Sequence, residues 1–312
     1  MNPIQPIDIQ PIDGTALERI VAGALAEDAP WGDITSSTLI PADATATAEL
    51  AAREPGVFSG GPVLAEVFRQ VDPSVQVDLK AADGAAFDAG DVLAVLSGNA
   101  RAILLGERVA LNLLQRLSGI ASQTAAFVAE AAGTGARVVD TRKTTPGLRA
   151  LERYAVRCGG GQNHRYSLSD AVMAKDNHLA VLTADGTRDL TEALRAAKAG
   201  LPHTVHFEVE VDRAEQIEPV LAAGVDTIML DNFSLDELRA GVRQVAGRAL
   251  VEASGNVRLE TVAAIARTGV NIISSGALTH SVRSLDLGLD IRIAADPAER
   301  QAAPAAGGAA SS

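Results

Sequence analysis

From about residue 138 onward the chain repeats one pattern: a short apolar run, then an amphipathic stretch that closes on glycine. The apolar runs begin near Val138, Ala171, His206, Thr227, Ala249 and Asn271, and read RVVD, AVMAK, HFEVEV, TIML, ALVEAS and NIISS. The stretches DLTEALRAAKAG, RAEQIEPVLAAG, SLDELRAGVRQVAG and RLETVAAIARTG follow in turn, with apolar side chains at helical spacing, as at Leu190, Ala193, Leu194 and Ala197. Glycine just past a helix is a stop signal, because it enters the left-handed region without a Cβ penalty. Ser234 ahead of Asp236 and Glu237 predicts an N-cap. From Ala171 the spacing is mostly 21 to 23 residues, with one longer gap. Short apolar strands alternating with amphipathic helices predict parallel βα units buried on both faces. An open doubly wound sheet and a (β/α) barrel both satisfy this pattern. No GxGxxG follows a strand, so the dinucleotide fingerprint is missing.

The first half reads differently. Residues 15–27 predict a helix, VFSGGPVLAEVFRQV a turn and a short helix, and SVQVDLKAADG and DVLAVLSGN strands. Residues 101–133 have helical apolar spacing with few breakers and predict two long helices, broken near Ser118-Gly119. The tail DPAERQAAPAAGGAASS predicts disorder. A length of 312 residues suggests about two domains, and a 47% hydrophobic composition supplies their cores. No apolar run approaches the roughly 20 residues that span a bilayer. The start, MNPIQPIDIQPIDG, lacks the basic and apolar regions of a signal peptide. The single cysteine, Cys158, excludes an intrachain disulfide and a multi-cysteine zinc site, and fits a cytoplasmic location. A net charge of −12 argues against nucleic acid and anionic membranes as partners.

That charge is uneven. Between residues 142 and 175, Arg142, Lys143, Arg149, Arg153, Arg157, Arg165 and Lys175 face only Glu152 and Asp170, a local +5. A cationic island in an acidic chain suggests a small anionic ligand. For Arg149, Arg153 and Arg157, spaced four apart, a solvated helix face is an equal reading. Polar groups also gather where the strands end: Arg142 and Lys143, Lys175 and Asp176, Asp231 and Asn232, Ser254 and Gly255, Ser275 and Gly276. Such a gathering is what a barrel active site needs. Glu208 and Glu210 alternate on one strand and so share a face. Buried carboxylates need partners, and Lys143 and Lys175 are the expected ones. Arg142, Lys143, His164, Arg165 and Lys175 suit a compact polyanion, because arginine pairs a carboxylate or phosphate at two points. Glu210 and Asp231 suit Mg2+. The turns at Ser254-Gly255 and Ser275-Gly276-Ala277 suit a phosphate held by backbone N–H groups. The set favours transfer of a phosphorylated group to an acidic acceptor.

The runs TRKTTPGLRALERYAV, GGGQNHR, KDNH, EVEVD, LDNFS, EASGN and GALTHS, in this order, closely resemble the quinolinate phosphoribosyltransferase family, the carboxylating nicotinate-nucleotide pyrophosphorylases. EDAPWGDITS from residue 27 and GERVALNLLQRLSGIA at 106–121 match it too, so the resemblance spans roughly residues 15–292. It implies an α/β protein: an N-terminal α/β sandwich domain plus an incomplete, open α/β barrel of about six parallel strands. The implied layout is an arm at 1–14, the sandwich with its linking helices at 15–132, the barrel at 133–284, a return segment at 285–294 packing on the sandwich, and a disordered tail at 295–312. The family is a homodimer with shared active sites, which implies that Arg108 reaches the partner's site. The implied reaction joins quinolinate to phosphoribosyl pyrophosphate and releases nicotinate mononucleotide, pyrophosphate and CO2.

On that resemblance, Arg108, Arg142, Lys143, His164 and Arg165 bind quinolinate. Lys143, Lys175, Glu210, Asp231, Ser254, Gly255, Asn256, Ser275 and Gly276 bind phosphoribosyl pyrophosphate. Lys143, Lys175, Glu210 and Asp231 are the catalytic set, and Glu210 and Asp231 carry Mg2+. Arg149, Arg153 and Arg157 fall outside the residues that touch substrate. His178 and His280 either orient loops or touch substrate, and His203, His206 and Cys158 read as structural. Two alternatives stand beside this. Lys143 or Lys175 at a strand end could form the Schiff base of an aldolase. The chain could also be a non-catalytic anion-binding relative of the type associated with molybdate transport.

Overall fold

The structure is a computed structural model and describes residues 9–184, 186 and 189–293. The expected tail at 295–312 and most of the expected arm at 1–14 lie outside the described residues. The described residues fall into two compact units: 11–119 with 284–293, and 120–283 with 9–10.

The first unit begins with α1 (Gly14–Asp28), whose Asp13 cap accepts from the Ala16 N–H at 2.7 Å and whose Leu17, Ile20 and Val21 are buried. Helix α2 (Ile34–Leu39) is capped in the same way by Asp33. Strand β1 (Thr45–Ala52) alternates, with Ala46, Ala48 and Leu50 inward. Strand β2 (Gly56–Val57) leads to α3 (Gly61–Val71), which buries Val63, Leu64, Val67 and Phe68 along one stripe. Then come β3 (Gln76–Leu79), β4 (Ala86–Phe87), which pairs with β2, and β5 (Val92–Asn99).

Helix α4 (Ala100–Ala131) follows as one continuous helix of 32 residues. The expected break at Ser118-Gly119 is absent. A mid-helix glycine costs only about 1 kcal/mol, and Leu114, Leu117, Ile120 and Ala121 are all buried around it. The Ser118 hydroxyl accepts from the Ser59 N–H at 3.2 Å. The division between units falls at this glycine, inside the helix rather than after residue 132.

The second unit carries six short parallel strands. They are β6 (Arg137–Val139), β7 (Val172–Ala174), β8 (Phe207–Val211), β9 (Thr227–Asp231), β10 (Leu250–Ser254) and β11 (Ile272–Ser274). The intervening helices are α5 (Arg149–Cys158), α6 (Asp176–Leu182), α7 (Leu190–Ala199), α8 (Ile217–Ala222), α9 (Leu235–Val245) and α10 (Leu259–Ala266), with α11 (Ala277–His280) after β11. Ser234 caps α9 in a capping box with Glu237. The sheet order is β6-β11-β10-β9-β8-β7. From β7 to β11 each strand lies beside the next in sequence, so the winding never reverses. A doubly wound sheet would reverse at a switch point. The opening lies between the two edge strands, β6 and β7. A single parallel bridge, Val139 to Gln162, lays the segment before His164 along the free side of β6. The architecture is an open α/β barrel.

Strand β12 (Leu287–Ile293) returns to the first unit and pairs antiparallel with β1, giving the sheet order β12-β1-β5-β3. Among the described residues no helix is long and apolar enough to cross a membrane.

Candidate active site

The C-terminal ends of the barrel strands surround a cavity of about 660 Å3. Arg142 and Lys143 enter it from the turn after β6, and Lys175 from the end of β7. Glu210 comes from β8, Asp231 from β9, and Ser254, Gly255 and Asn256 from β10 and its turn. His164 and Arg165 enter from the segment that lines the barrel's open side. Arg108 belongs to α4 in the first unit and is exposed.

The cationic end is built from the chain's basic island. Arg142 has a buried Nε without a partner. Arg165 donates from Nη1 to the Ala171 carbonyl at 3.0 Å. Burial, and then the charge of Arg142, press Arg165 below its ordinary value. Adjacent guanidinium groups that repel each other mark a place suited to an anion. The turn that carries Arg142 and Lys143 is tied down by buried Glu152, which accepts from the Thr145 N–H at 3.0 Å. Thr279 donates its hydroxyl to the Lys143 carbonyl at 2.8 Å.

The expectation for Glu208 needs correction. Its partner is neither Lys143 nor Lys175 but His164, whose Nε2 lies 3.3 Å from Oε2 of Glu208 and 3.3 Å from Oε2 of Glu252. Both glutamates are sealed in, Glu208 3% and Glu252 1% exposed. Glu252 lines the cavity and was not singled out in the sequence; its signal there is one charged letter in the strand ALVEAS. The other ring nitrogen of His164, Nδ1, accepts from the Arg165 N–H at 2.7 Å. Burial works to lower the His164 pKa, but the two carboxylates together raise it to about 10. Burial first, and then the Glu252 charge, push the Glu208 carboxyl up as well. Both shifts describe one shared extra proton. An accepting Nδ1 leaves the ring hydrogen on Nε2, which places that proton on the carboxyl pair.

Glu210, two residues along the same strand, is ion-paired with Lys175. Asp231 accepts from Nδ2 of Asn232 at 2.7 Å, and Asn232 accepts from Nδ2 of Asn256 at 3.0 Å. Asn232 and Asn256 both take positive φ, 58° and 50°. Gly255 sits between them at φ 86°, and a Cβ there would stand 2.3 Å from Oδ1 of Asn232, so only glycine fits. The expected role of Ser275 meets a different geometry. Its N–H donates to the Val139 carbonyl at 3.1 Å, its hydroxyl to the Val257 carbonyl at 3.1 Å, and the residue is buried. Gly276 lies against Lys143: a Cβ there would come within 2.8 Å of the lysine Cδ.

The three arginines of α5 are not a solvated face. Arg153 is 8% exposed and pairs with buried Asp140 at 3.2 Å. It also donates to the carbonyls of His164 at 2.6 Å and Arg165 at 3.2 Å. Asp140 accepts from the His164 N–H at 2.7 Å and from Asn163 at 2.6 Å. Burial, opposed by the Arg153 charge and these donors, lifts the Asp140 carboxyl to about 6. Arg149 donates to the Tyr166 carbonyl, and Arg157 to the Gln10 carbonyl. Arg149 and Arg153 therefore brace the loop that presents His164 and Arg165. His178 orients a loop, its Nδ1 accepting from the Lys175 N–H at 3.1 Å. His206 bonds Thr227 at 2.9 Å.

Comparison with known proteins agrees with this architecture. The family model of the quinolinate phosphoribosyl transferase C-terminal domain matches residues 120–290, and that of the N-terminal domain residues 33–118. The chain is 42% identical over 283 residues to a probable nicotinate-nucleotide pyrophosphorylase (carboxylating) of Bacillus subtilis, covering 91% of this chain and 96% of the relative. It is 45% identical over 284 residues to the nicotinate-nucleotide pyrophosphorylase (carboxylating) of Mycobacterium leprae, covering 88% and 97%. The crystal structure of NadC from Streptococcus pyogenes superposes with a TM-score of 0.86 at 40% identity, over 91% of this chain and 99% of that one.

Proposed function

The chain belongs to the quinolinate phosphoribosyltransferase family, and from that premise we propose that the open-barrel cavity joins quinolinate to phosphoribosyl pyrophosphate. The products are nicotinate mononucleotide, pyrophosphate and CO2, in de novo NAD biosynthesis. One observation carries the reading: Arg142, Lys143, Arg165 and Lys175 share a single cavity with Glu210 and Asp231. Cations for a diacid and carboxylates for a sugar cation thus face one space. The likenesses favour neither a Schiff-base aldolase nor a non-catalytic anion-binding protein.

Quinolinate carries two adjacent carboxylates on a pyridine ring. Arg142 and Arg165, with Lys143 and His164 beside them, pair with these carboxylates and aim the ring nitrogen at C1 of the ribose. Arg108 of a second copy completes the clamp in a homodimer. As pyrophosphate departs, C1 takes on oxocarbenium character, and the carboxylates of Glu210 and Asp231 stabilise that charge. The turn through Ser254, Gly255 and Asn256 seats the 5′-phosphate, with Gly276 leaving room for the Lys143 stem. Once the ring nitrogen is quaternary, its positive charge stabilises the C2 carbanion left as CO2 departs, and a proton from water then takes up that electron pair to give the C2–H of the product. The protein then contributes positioning and charge.

Two carboxylates at neighbouring strand ends fit Mg2+, which takes few protein ligands and completes its shell with substrate phosphates and water. Bound there, the ion would neutralise charge on the pyrophosphate. Lys175 and Glu210, paired with each other here, would exchange partners when the diphosphate arrives. A cytoplasmic location belongs to the same reading, supported by the single cysteine.

The test is pyrophosphate release that depends on quinolinate, with nicotinate as the control acceptor. Release with nicotinate and none with quinolinate would overturn the assignment. The shared site has its own test. Arg108→Ala and Lys143→Ala chains, each inactive alone, regain partial activity when mixed, because one intact site forms in each heterodimer. Verified heterodimers that stay inactive would remove Arg108 from the site.

A further inference from the structure

Glu252 has no evident structural reason to exist. It sits in the middle of β10, with β9 on one side and β11 on the other, and is 1% exposed. A strand in that position is best filled by Val or Ile, and a buried carboxylate is costly unless something offsets it. Its Oε1 has no hydrogen-bond partner, and neither does Oε1 of Glu208. Each glutamate therefore reaches Nε2 of His164 through Oε2, and the two carboxyls also bond each other. The two glutamates come from strands that are not neighbours, since β9 lies between β8 and β10. In a flat sheet, strands two apart stand roughly 9.5 Å from each other. Only the curvature of the barrel lets both carboxylates reach one ring.

We propose that Glu252 is a positioning residue for the acid-binding end of the cavity, clamping His164 together with Glu208 so that the ring fixes the Arg165 backbone. The chain of contacts is short. The paired carboxylates lock the ring plane through Nε2, and Nδ1 then points at the Arg165 N–H at 2.7 Å. Arg165 is further tied by Nη1 to the Ala171 carbonyl. Its guanidinium consequently stands beside Arg142 with little freedom, arranged before the substrate arrives. A clamp made from two strands sets the ring in two directions, which one carboxylate alone would not do. A binding group held this way forms its ion pair at smaller entropic cost.

This inference rests on the quinolinate reading above, and the experiment separates the two. The variants are Glu252→Met, which keeps the volume and removes the charge, and Glu252→Gln, which keeps one acceptor. For Glu252→Met, thermal unfolding stays near that of the parent, because Glu208 still pairs with His164 and the buried, unpartnered Oε1 of Glu252 is removed. Its KM for quinolinate rises about tenfold, the order of loss that a small misplacement near a site produces, while KM for phosphoribosyl pyrophosphate stays within about twofold. Glu252→Gln falls between parent and Met variant, since the amide oxygen still accepts from Nε2. If the Met variant does not fold, the Gln variant alone must show the selective rise in quinolinate KM. A folded variant with unchanged quinolinate KM, or with both KM values raised equally, overturns the proposal. A parent chain inactive with quinolinate would instead overturn the assigned reaction.

Discussion

Glu208 and Glu210 stand two residues apart on β8 and so point to the same face of the strand, yet their surroundings differ. Glu208 is closed over by the barrel and shares His164 with Glu252. Glu210 reaches the open end and pairs with Lys175, whose side chain is 43% exposed. The neighbouring strands show the same division, with Glu252 deep on β10 and Asp231 at the mouth of β9. Two residues along a strand are roughly 6.6 Å. That distance separates a fixed brace from a charge free to change partners when substrate enters.

The outer support of the deep layer should fail as structure, and it carries the largest effect. Arg153→Met leaves Asp140 buried without its cation, and breaking such a pair costs about 3–5 kcal/mol. The loss depends on pH. The Asp140 pKa is raised in the folded protein, to about 6. Its contribution to stability is complete below the unfolded carboxylate value and is lost as pH rises through the folded one. Without Arg153 the folded value climbs further, so the penalty is full at pH 8 and shrinks toward pH 5. Denaturant titrations at the two pH values measure it. An equal loss at both would mean that Arg153 acts through packing and its carbonyl contacts rather than through charge.

The mouth should fail as chemistry. Glu210→Gln and Asp231→Asn each lower kcat by about 100- to 1,000-fold, the usual loss when a group facing transition-state charge is removed. Unfolding temperatures stay near the parent's, because both side chains lie at the partly open end. If Glu210→Gln unfolded the protein while a folded Glu208→Gln abolished turnover, the two layers would have to exchange roles. Arg165→Ala lies between them. It weakens quinolinate binding about tenfold, as expected for loss of one charge-assisted pair, with less effect on phosphoribosyl pyrophosphate. Calorimetric titration of each ligand gives the ratio, and the reverse order would contradict the placement of the acid.

What could be read in advance follows the same division. The six barrel strands were legible because each is a short apolar run bounded by glycine and polar ends, a pattern that depends on neighbours in sequence. Strand β1, TATAELAA, was not, since alanine and threonine give only a weak alternation. The mouth residues Lys175, Glu210 and Asp231 were legible as charges at strand ends. The deep clamp was not. Glu208 showed as a carboxylate in need of a partner, but that partner arrives from the loop on the barrel's open side, 44 positions earlier in the chain. Glu252 gave no reason to be singled out, because its meaning lies in the convergence of β8 and β10 on one imidazole. Arg153 read equally well as a solvated residue, since helical spacing does not say which face of α5 meets the loop at 163–166.

The smallest expected effect tests the clamp through its proton. The extra proton shared by His164, Glu208 and Glu252 is held up to about pH 10 in the folded protein, above the ordinary histidine value of 6.5. A proton held more tightly in the folded state contributes stability that is complete below the unfolded value and is lost as pH rises through the folded one. Stability from the clamp should therefore decline from about pH 6.5 to pH 10. Other groups titrate in that window, so the useful quantity is the difference between the parent and Glu252→Met. Removing one of the two carboxylates loosens the shared proton and flattens the cluster's share of the slope. The gap in unfolding temperature between Glu252→Met and the parent should then move in favour of the variant as pH is raised from 7 to 10. A constant gap would mean that the extra proton does not depend on Glu252, and that Glu208 alone holds the ring.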